Sequence, residues 1–510
     1  MMMKNNFGAE NWRDYILNPV FDEHPEYNEL YEKTWEIAFK HIKLIDGMPQ
    51  NPCMDEAFCD TQFWIWDTCF MALFCKYAQD VFPGVESLQN FYEVLYGDKR
   101  LPTIIPDETE PVWTGAKAGE PYEIKVHIAD NPPLFSWAEY QNALIKGDKE
   151  YLKDLLYNRK FLQKHYEWFE NLKDSYTPDG VLTPTRLIAV DNGYKWEGGC
   201  SGMDNTPRGR MGNSTDVQRP NNPDLLWVDA ICQQALSAKI IAEMFLILGD
   251  SGNYEIWNEK FSQKAKIIND LYWDENDSFY YDIDCKTSDF YKVKTIASFW
   301  TLTSFAAPKD RAEEVAKQLL NNDTFGGKVP FVSLSRNDGD FSEKGKYWRG
   351  SVWLPTAYAT LVGLKNYGFQ SIAHETSKKL LSHMYKTYTD FTPHTIWECY
   401  SPNEYKPATN SKNNGLVRPD FCGWSALGPI SIYIEYVLGF HTVDAFKNVI
   451  EWAKPDVKGK IGIKNLRFGE VITDIVADGN ECRVVTNKPY TLEVNGKAYD
   501  ISEGESMFII

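Results

Sequence analysis

Between residues 28 and 438 the chain alternates two kinds of helical segment without a break in the pattern. Segments 28–45, 85–96, 148–173, 252–272, 308–321 and 368–388 carry an apolar stripe opposite a charged face, so each covers a core on one side only. Segments 63–78, 132–146, 224–248, 296–305, 350–365 and 424–438 are apolar nearly all round and must be enclosed. Six enclosed helices inside six half-exposed ones satisfy this order, which is an (α/α)6 toroid barrel. A solenoid also alternates, but its concave helices keep a polar stripe, and no fixed repeat of solenoid length is present.

The connections carry the same message. Links from an apolar helix to the next amphipathic one are as short as Gly147 or Asp250-Ser251. Links in the other sense are long: 46–62, 97–131, 174–223, 273–295, 322–349 and 389–423. In a two-ring barrel these long links gather at one mouth, and long ordered loops in a compact domain are where function concentrates. After residue 455 the period changes from helical to two, with the turn Asn495-Gly496 between strand-like runs. The expected organisation is an all-α catalytic barrel over 1–454 and a small C-terminal antiparallel β-domain, sandwich-like, over 455–510. The β-domain holds no cluster of catalytic residue types and is expected to be structural.

Composition narrows the partners. There are 53 basic and 72 acidic residues, a net charge of −19, and no Lys/Arg-rich run, which excludes nucleic acid and anionic membrane as natural partners. No uninterrupted apolar run is long enough to span a bilayer. The start, Met1-Met2-Met3-Lys4, lacks the apolar stretch of a secretory signal. None of the ten cysteines forms a Cys-x-x-Cys pair, and several sit in apolar helices, so a reducing, cytoplasmic setting is expected. Aromatic content is 15%, with 17 Trp, and such faces both fill cores and stack on sugar rings.

Four stretches carry candidate chemistry. Ser201-Gly202-Met203-Asp204-Asn205-Thr206-Pro207-Arg208 lies in a long polar link; by itself it reads as a turn. Asp67 follows Trp66 in the first enclosed helix (Phe63-Trp64-Ile65-Trp66-Asp67), where a carboxylate either anchors a loop or binds ligand hydroxyls. Tyr347-Trp348-Arg349-Gly350 opens the fifth enclosed segment; its arginine can stack and present a fork, or pair with a wall carboxylate. Glu398 is wedged between Trp397 and Tyr400, and desolvation there favours its neutral form. Only eight His are present, none at ligand spacing, and there is no Ser/His/Asp constellation or phosphate-cradling loop, so neither metal nor cofactor is expected. Two isolated carboxylates, Asp204 and Glu398, on different loops of an acidic and aromatic mouth suit glycosidic hydrolysis.

Trp66-Asp67 with Phe70, the Ser201–Arg208 stretch, Tyr347-Trp348-Arg349-Gly350, Trp397-Glu398-Cys399-Tyr400 and Phe421-Cys422-Gly423-Trp424-Ser425 occur in one order. In spelling and order the chain resembles the (α/α)6 glycoside hydrolases of family 63: the processing α-glucosidases and the related mannosylglycerate and glucosylglycerate hydrolases. More distantly it resembles the family 37 trehalases. The resemblance implies an inverting mechanism with Asp204 as general acid and Glu398 as general base. It also implies a sugar subsite drawn from Phe63, Trp66, Asp67, Asn205, Arg208, Trp348, Arg349, Gly350, Trp397, Tyr400 and Trp424. The chain departs from the family pattern at Cys200, where a Glu is common (Glu197 is the nearest), and at Ser401, and the large N-terminal β-domain of many family members is not expected here. The reading is an exo-acting α-glycosidase on a small gluco- or manno-configured glycoside. Alternatives are a trehalase or α-rhamnosidase-like toroid, a sugar epimerase, which the scarcity of His disfavours, and a non-catalytic sugar-binding barrel.

Overall fold

The computed structural model describes residues 6–44, 49–55, 64–95, 132–171, 187–196, 198–209 and 222–510. In chain order its first helices are α1 (Tyr27–Lys40), α2 (Ile65–Cys75), α3 (Gly84–Leu95), α4 (Phe135–Lys146), α5 (Lys149–Lys153) and α6 (Phe161–Asn171). Then come α7 (Val228–Ile247), α8 (Ser251–Leu271), α9 (Trp300–Thr303), α10 (Lys309–Lys317), α11 (Leu354–Asn366) and α12 (Gln370–Asp390). A π-helical segment, Gly428–Val437, takes the place of the last enclosed helix.

Burial follows the sequence pattern. Every residue of α2 is buried, whereas α8 buries only Trp257, Lys264 and Ile268 of its 21 residues. The enclosed segments touch in sequence: α2 packs on α4, α4 on α7, α7 on α9, α9 on α11, and α11 on Gly428–Val437, which returns to α2. The amphipathic helices lie outside this cycle, α3 against α2, α8 against α7, and α12 against both α11 and Gly428–Val437. Helix α7 has the length and composition of a membrane span, but 78% of its most apolar stretch is buried in the protein, as its place in the cycle requires.

The short links are tight because their caps are built in. Gly147 ends α4 in the left-handed region (φ 70°) with its N–H on the Ala143 carbonyl. The Asp148 side chain then accepts from the Glu150 and Tyr151 amides to start α5. Asp250 starts α8 in the same way through Asn253.

Three differences from the sequence reading concern ends and breaks. The expected helix 148–173 is interrupted by a π turn at Asp154–Arg159 and by left-handed Lys160 (φ 57°) before α6. The fifth enclosed helix starts at Leu354, with Pro355 in its first turn, so Trp348, Arg349 and Gly350 belong to the preceding loop. The sheet region begins at Thr442 and is not wholly antiparallel: Val449–Trp452 runs parallel to Tyr490–Val494. It also recruits Asn18–Phe21 beside Lys460–Phe468 as the edge of a five-stranded sheet. Strands of three or four residues are too short to show an alternation, and their partners are distant in the chain.

Candidate active site

Three links and the first turn of α2 converge at one end of the helix cycle. The Asp204 loop is placed by Gly202. Its φ of +79° favours glycine, and a Cβ there would lie 3.0 Å from the Trp66 indole, so glycine lets the loop rest on that ring. Ser201 Oγ donates to the Gly198 carbonyl (2.7 Å) and accepts from the Met203 amide (3.1 Å). The Thr206 amide closes onto the Met203 carbonyl (3.0 Å), leaving half-buried Asp204 at the turn.

Asn205 is the latch between two loops. Its Nδ2 donates to the Lys346 carbonyl (3.0 Å), its Oδ1 accepts from the Trp348 amide (2.8 Å), and its carbonyl accepts from Arg349 Nε (3.2 Å). Lys346 and Tyr347 are consecutive non-glycine residues with positive φ, 40° and 65°. The Tyr347 amide is held by the Thr409 carbonyl (2.8 Å) and the Lys346 amide by Thr409 Oγ1 (3.2 Å). Backbone held in sparsely populated regions by its surroundings clusters at functional sites.

Glu398 is 4% exposed. Tyr347 Oη donates to its Oε1 (2.8 Å), and the Arg418 amide donates to its Oε2 (3.3 Å). Its backbone is fixed as well: the Glu398 carbonyl accepts from Trp424 Nε1 (2.7 Å), and Ser425 Oγ donates to the Trp397 carbonyl (2.6 Å). Burial raises the Glu398 carboxyl above the usual glutamate range, opposed by the Tyr347 and Arg418 hydrogen bonds and the Arg418 charge.

Asp67, in the first turn of α2, is 6% exposed. Burial raises its carboxyl well above the ordinary aspartate range, and the charges of Glu398 and Asp204 raise it further. Tyr347 is likewise raised, by burial first and then by Glu398 and Asp204. Asp67, Asp204, Glu398 and Tyr347 therefore share one electrostatic neighbourhood. Around them Trp66 meets Trp424 edge-on at 6.5 Å and Phe70 at 4.9 Å, and Trp424 lies 4.7 Å from Phe421.

The remaining expected residues divide by what they touch. Arg208 is 1% exposed. Its guanidinium forks onto Asp229 (2.7 and 2.8 Å) and onto Asp282 (2.7 and 2.8 Å), with Met203 Sδ on the fifth donor direction, and it stacks over Trp227 at 4.3 Å. With every N–H engaged, it anchors the Asp204 loop rather than a sugar. Arg349 is bound to Asn205 and pairs with Asp340 (3.4 Å). Trp348, 1% exposed, stacks on Trp353 at 4.2 Å and forms the backing of the wall. Tyr400 is fully buried, its Oη accepting from the Trp397 amide (3.1 Å). Gly350 (φ +135°) is enclosed by Phe341 and Ser342, where a Cβ would meet atoms at 2.9 and 3.0 Å. Both are enclosed by protein atoms. Trp397 is 3% exposed, and its indole N–H has no partner among the described residues. Phe63 and Glu197 lie outside the described residues.

Sequence reasoning passed over Tyr347 as a functional group, although it opens the motif that was singled out. It also passed over Asp229 and Asp282, because nothing in sequence links them to Arg208.

A family model described as the mannosylglycerate hydrolase MGH1-like glycoside hydrolase domain matches residues 61–413. The chain belongs to the MGH1-like glycoside hydrolases. The matched span runs from the start of the Trp66-Asp67 segment through Glu398. Among curated relatives, this MGH1-like chain is 26% identical over 482 residues to the mannosyl-oligosaccharide glucosidase of Saccharomyces cerevisiae, covering 80% of this chain and 54% of that one. It is 27% identical over 373 residues to a mannosylglycerate hydrolase of Rubrobacter radiotolerans, covering 61% and 80%. Thus it spans about half the length of the yeast glucosidase. Among solved structures, a GH63 mannosylglycerate hydrolase from Thermus thermophilus in complex with glucose superposes with a TM-score of 0.57 at 17% identity, over 79% of this chain and 99% of that one. That likeness shows a shared fold.

Proposed function

We propose that this MGH1-like protein is an inverting, exo-acting α-glycosidase built on an (α/α)6 toroid and acting on a small gluco- or manno-configured glycoside. Asp204 protonates the glycosidic oxygen and Glu398 deprotonates the attacking water. The observation that carries the reading is the buried Glu398, fixed by Tyr347 and lying with Asp67 in the field of Asp204. The reading requires a separation of roughly 6.5–9.5 Å between the two carboxyls, enough to admit the water that inversion needs. Relatives named mannosylglycerate hydrolase and mannosyl-oligosaccharide glucosidase support the gluco- or manno-configuration.

Asp67 has a different task. Burial and two neighbouring charges favour its neutral form, in which a carboxyl donates a hydrogen bond. It serves a sugar hydroxyl at the foot of the site, with Trp66 and Trp424 as the apolar faces. The nine described cysteines are free, which supports a reducing compartment such as the cytoplasm. The strands after Thr442 act as a structural domain.

The test is proton NMR of the purified protein with α-linked glucose and mannose disaccharides, trehalose, and glucosyl- and mannosylglycerate, beside Asp204→Asn. Release of the β-anomer first from one donor, absent in the variant, is the expected outcome. The α-anomer appearing first would reject the roles given to Asp204 and Glu398. Binding without turnover would turn the reading to a sugar-binding barrel.

A further inference from the structure

The far end of the helix cycle holds a cavity that glycoside hydrolysis does not use. Its volume is about 360 Å3, and it lies where α11, the start of α12 and the end of Gly428–Val437 meet the chain around Ala453–Asp456. That volume is within the range of small-molecule sites.

Its lining includes the carboxylates Glu435 and Asp456 and several donors, two of which lack an acceptor among the described residues. Lys365, in the last turn of α11, makes no hydrogen bond or ion pair with any described residue. Tyr436 is 6% exposed, and its hydroxyl likewise has no hydrogen-bond partner among the described residues. Among the described residues Lys454 Nζ reaches only the Pro455 carbonyl, at 3.4 Å. Gln370 and Ser371 begin the 21-residue α12, whose N-cap Phe369 offers no side-chain acceptor. Its first amides therefore face outward from the positive end of a long helix.

The carboxylates nearby are committed or peripheral. Glu435 is held by Lys76 at 3.0 Å and by the Tyr77 and Tyr358 hydroxyls. Glu451 faces His441 at 3.7 Å, and Asp456 is exposed. Lys447, whose charge also bears on Lys365, is paired with Asp444 at 3.6 Å. Burial disfavours the Lys365 ammonium, and the charges of Glu451 and Glu435 offset this only in part.

We propose that this junction cavity binds a small anion, a phosphate or carboxylate group on a small molecule, held by Lys365 Nζ, Tyr436 Oη and the first amides of α12. Such a ligand bridges the catalytic helices and the sheet region, on the side away from the carboxylates that perform hydrolysis. The inference is independent of the proposed glycosidase activity.

The experiment is isothermal titration calorimetry at fixed ionic strength, with inorganic phosphate in one arm and citrate in the other. It compares the full wild-type chain, Lys365→Met and Tyr436→Phe. The expected result is saturable one-site binding to wild type in one or both arms. Lys365→Met should weaken it about tenfold or more and Tyr436→Phe by a smaller factor, since hydrogen bonds to a charged group are the strong ones. The tighter arm identifies phosphate or carboxylate as the ligand group. Glycoside turnover should be unchanged in Tyr436→Phe, which keeps the readout clean if Lys365→Met folds poorly. Equal binding by wild type and both variants would place the anion elsewhere and overturn the proposal. So would absence of saturable heat in either arm up to about 10 mM.

Discussion

Buried acids lie at both ends of helix α2, Glu435 at one and the Asp67 cluster at the other, and they are treated in opposite ways. At the C-terminal end of α2, Glu435 is met by Lys76 at 3.0 Å and by two tyrosine hydroxyls, with Lys76 also reaching Tyr358 and Gln141 at 3.3 Å. About 13 Å away along the helix axis, Asp67 stands with Glu398 and Asp204. There the arginines of the two motif loops are engaged elsewhere, Arg208 on Asp229 and Asp282, and Arg349 on Asn205 and Asp340, and the Arg418 charge only partly offsets the burial of Glu398. A buried carboxylate given a cation belongs to the architecture. One left among aromatics and other carboxylates has its proton affinity raised, which is the property acid–base chemistry uses.

The comparison breaks most sharply on activity. Asp204→Asn and Glu398→Gln should each lower kcat by about 10²–10⁴-fold, the usual worth of a general acid or base, with the thermal midpoint unchanged or higher. For Glu398→Gln this follows because burial already disfavours the charged carboxyl, while the amide oxygen can still accept from Tyr347. A variant that loses activity only in proportion to lost folded protein would move that carboxyl into the architectural class.

The second test removes a cation from a paired cluster. Arg208→Met leaves Asp229 and Asp282 buried and bare, and removing one partner of a buried pair costs about 3–5 kcal/mol. Urea unfolding should register a loss of that size. A midpoint equal to wild type would mean that the Arg208 forks carry no net stability.

How far these roles can be read from sequence differs between the clusters. The alternation of enclosed and half-exposed helices is visible because burial imposes a period on roughly 10 to 20 residues at a time. Asp204 and Glu398 stand out because they sit among aromatic and turn residues in long links. Arg208 enters the expected sugar subsite only through the family resemblance. That its fork is taken by Asp229 and Asp282 depends on pairings 21 and 74 residues away, which leave no local trace. Tyr347 was masked by its louder neighbours Trp348 and Arg349; only its backbone conformation and its bond to Glu398 mark it out. The early sheet strands, Asn18–Phe21 and Val449–Trp452, are defined by distant partners in the same way.

A smaller effect sharpens the comparison inside the acidic cluster. Tyr347→Phe removes a hydrogen bond that lowers the Glu398 pKa, so the acid limb of the pH–rate profile should move upward. A hydrogen bond to a charged group is worth about 1.5–3 kcal/mol, so kcat/KM near neutral pH should fall by roughly tenfold or more. If the limb stays in place while the rate falls, Tyr347 acts on substrate rather than through the base.

The smallest effect concerns stability against pH at Asp67. Its folded carboxyl is raised above its unfolded value by burial and then by Glu398 and Asp204. A raised acid contributes stability that is complete below the unfolded pKa, near 3.9, and is lost as pH rises through the folded value. Wild type should therefore lose more stability than Asp67→Asn as pH is raised from acid toward neutral, by on the order of 1 kcal/mol. The same denaturant series on Glu435→Gln supplies the contrast. There the wild type gains from its ion pair and the variant loses it, so the variant should lie below wild type across the neutral range. Parallel curves for wild type and Asp67→Asn would show that Asp67 titrates alike in the folded and unfolded chain. It would then be an ordinary ionised carboxylate, and the neutral donor assigned to the sugar hydroxyl would have to be found elsewhere in the site.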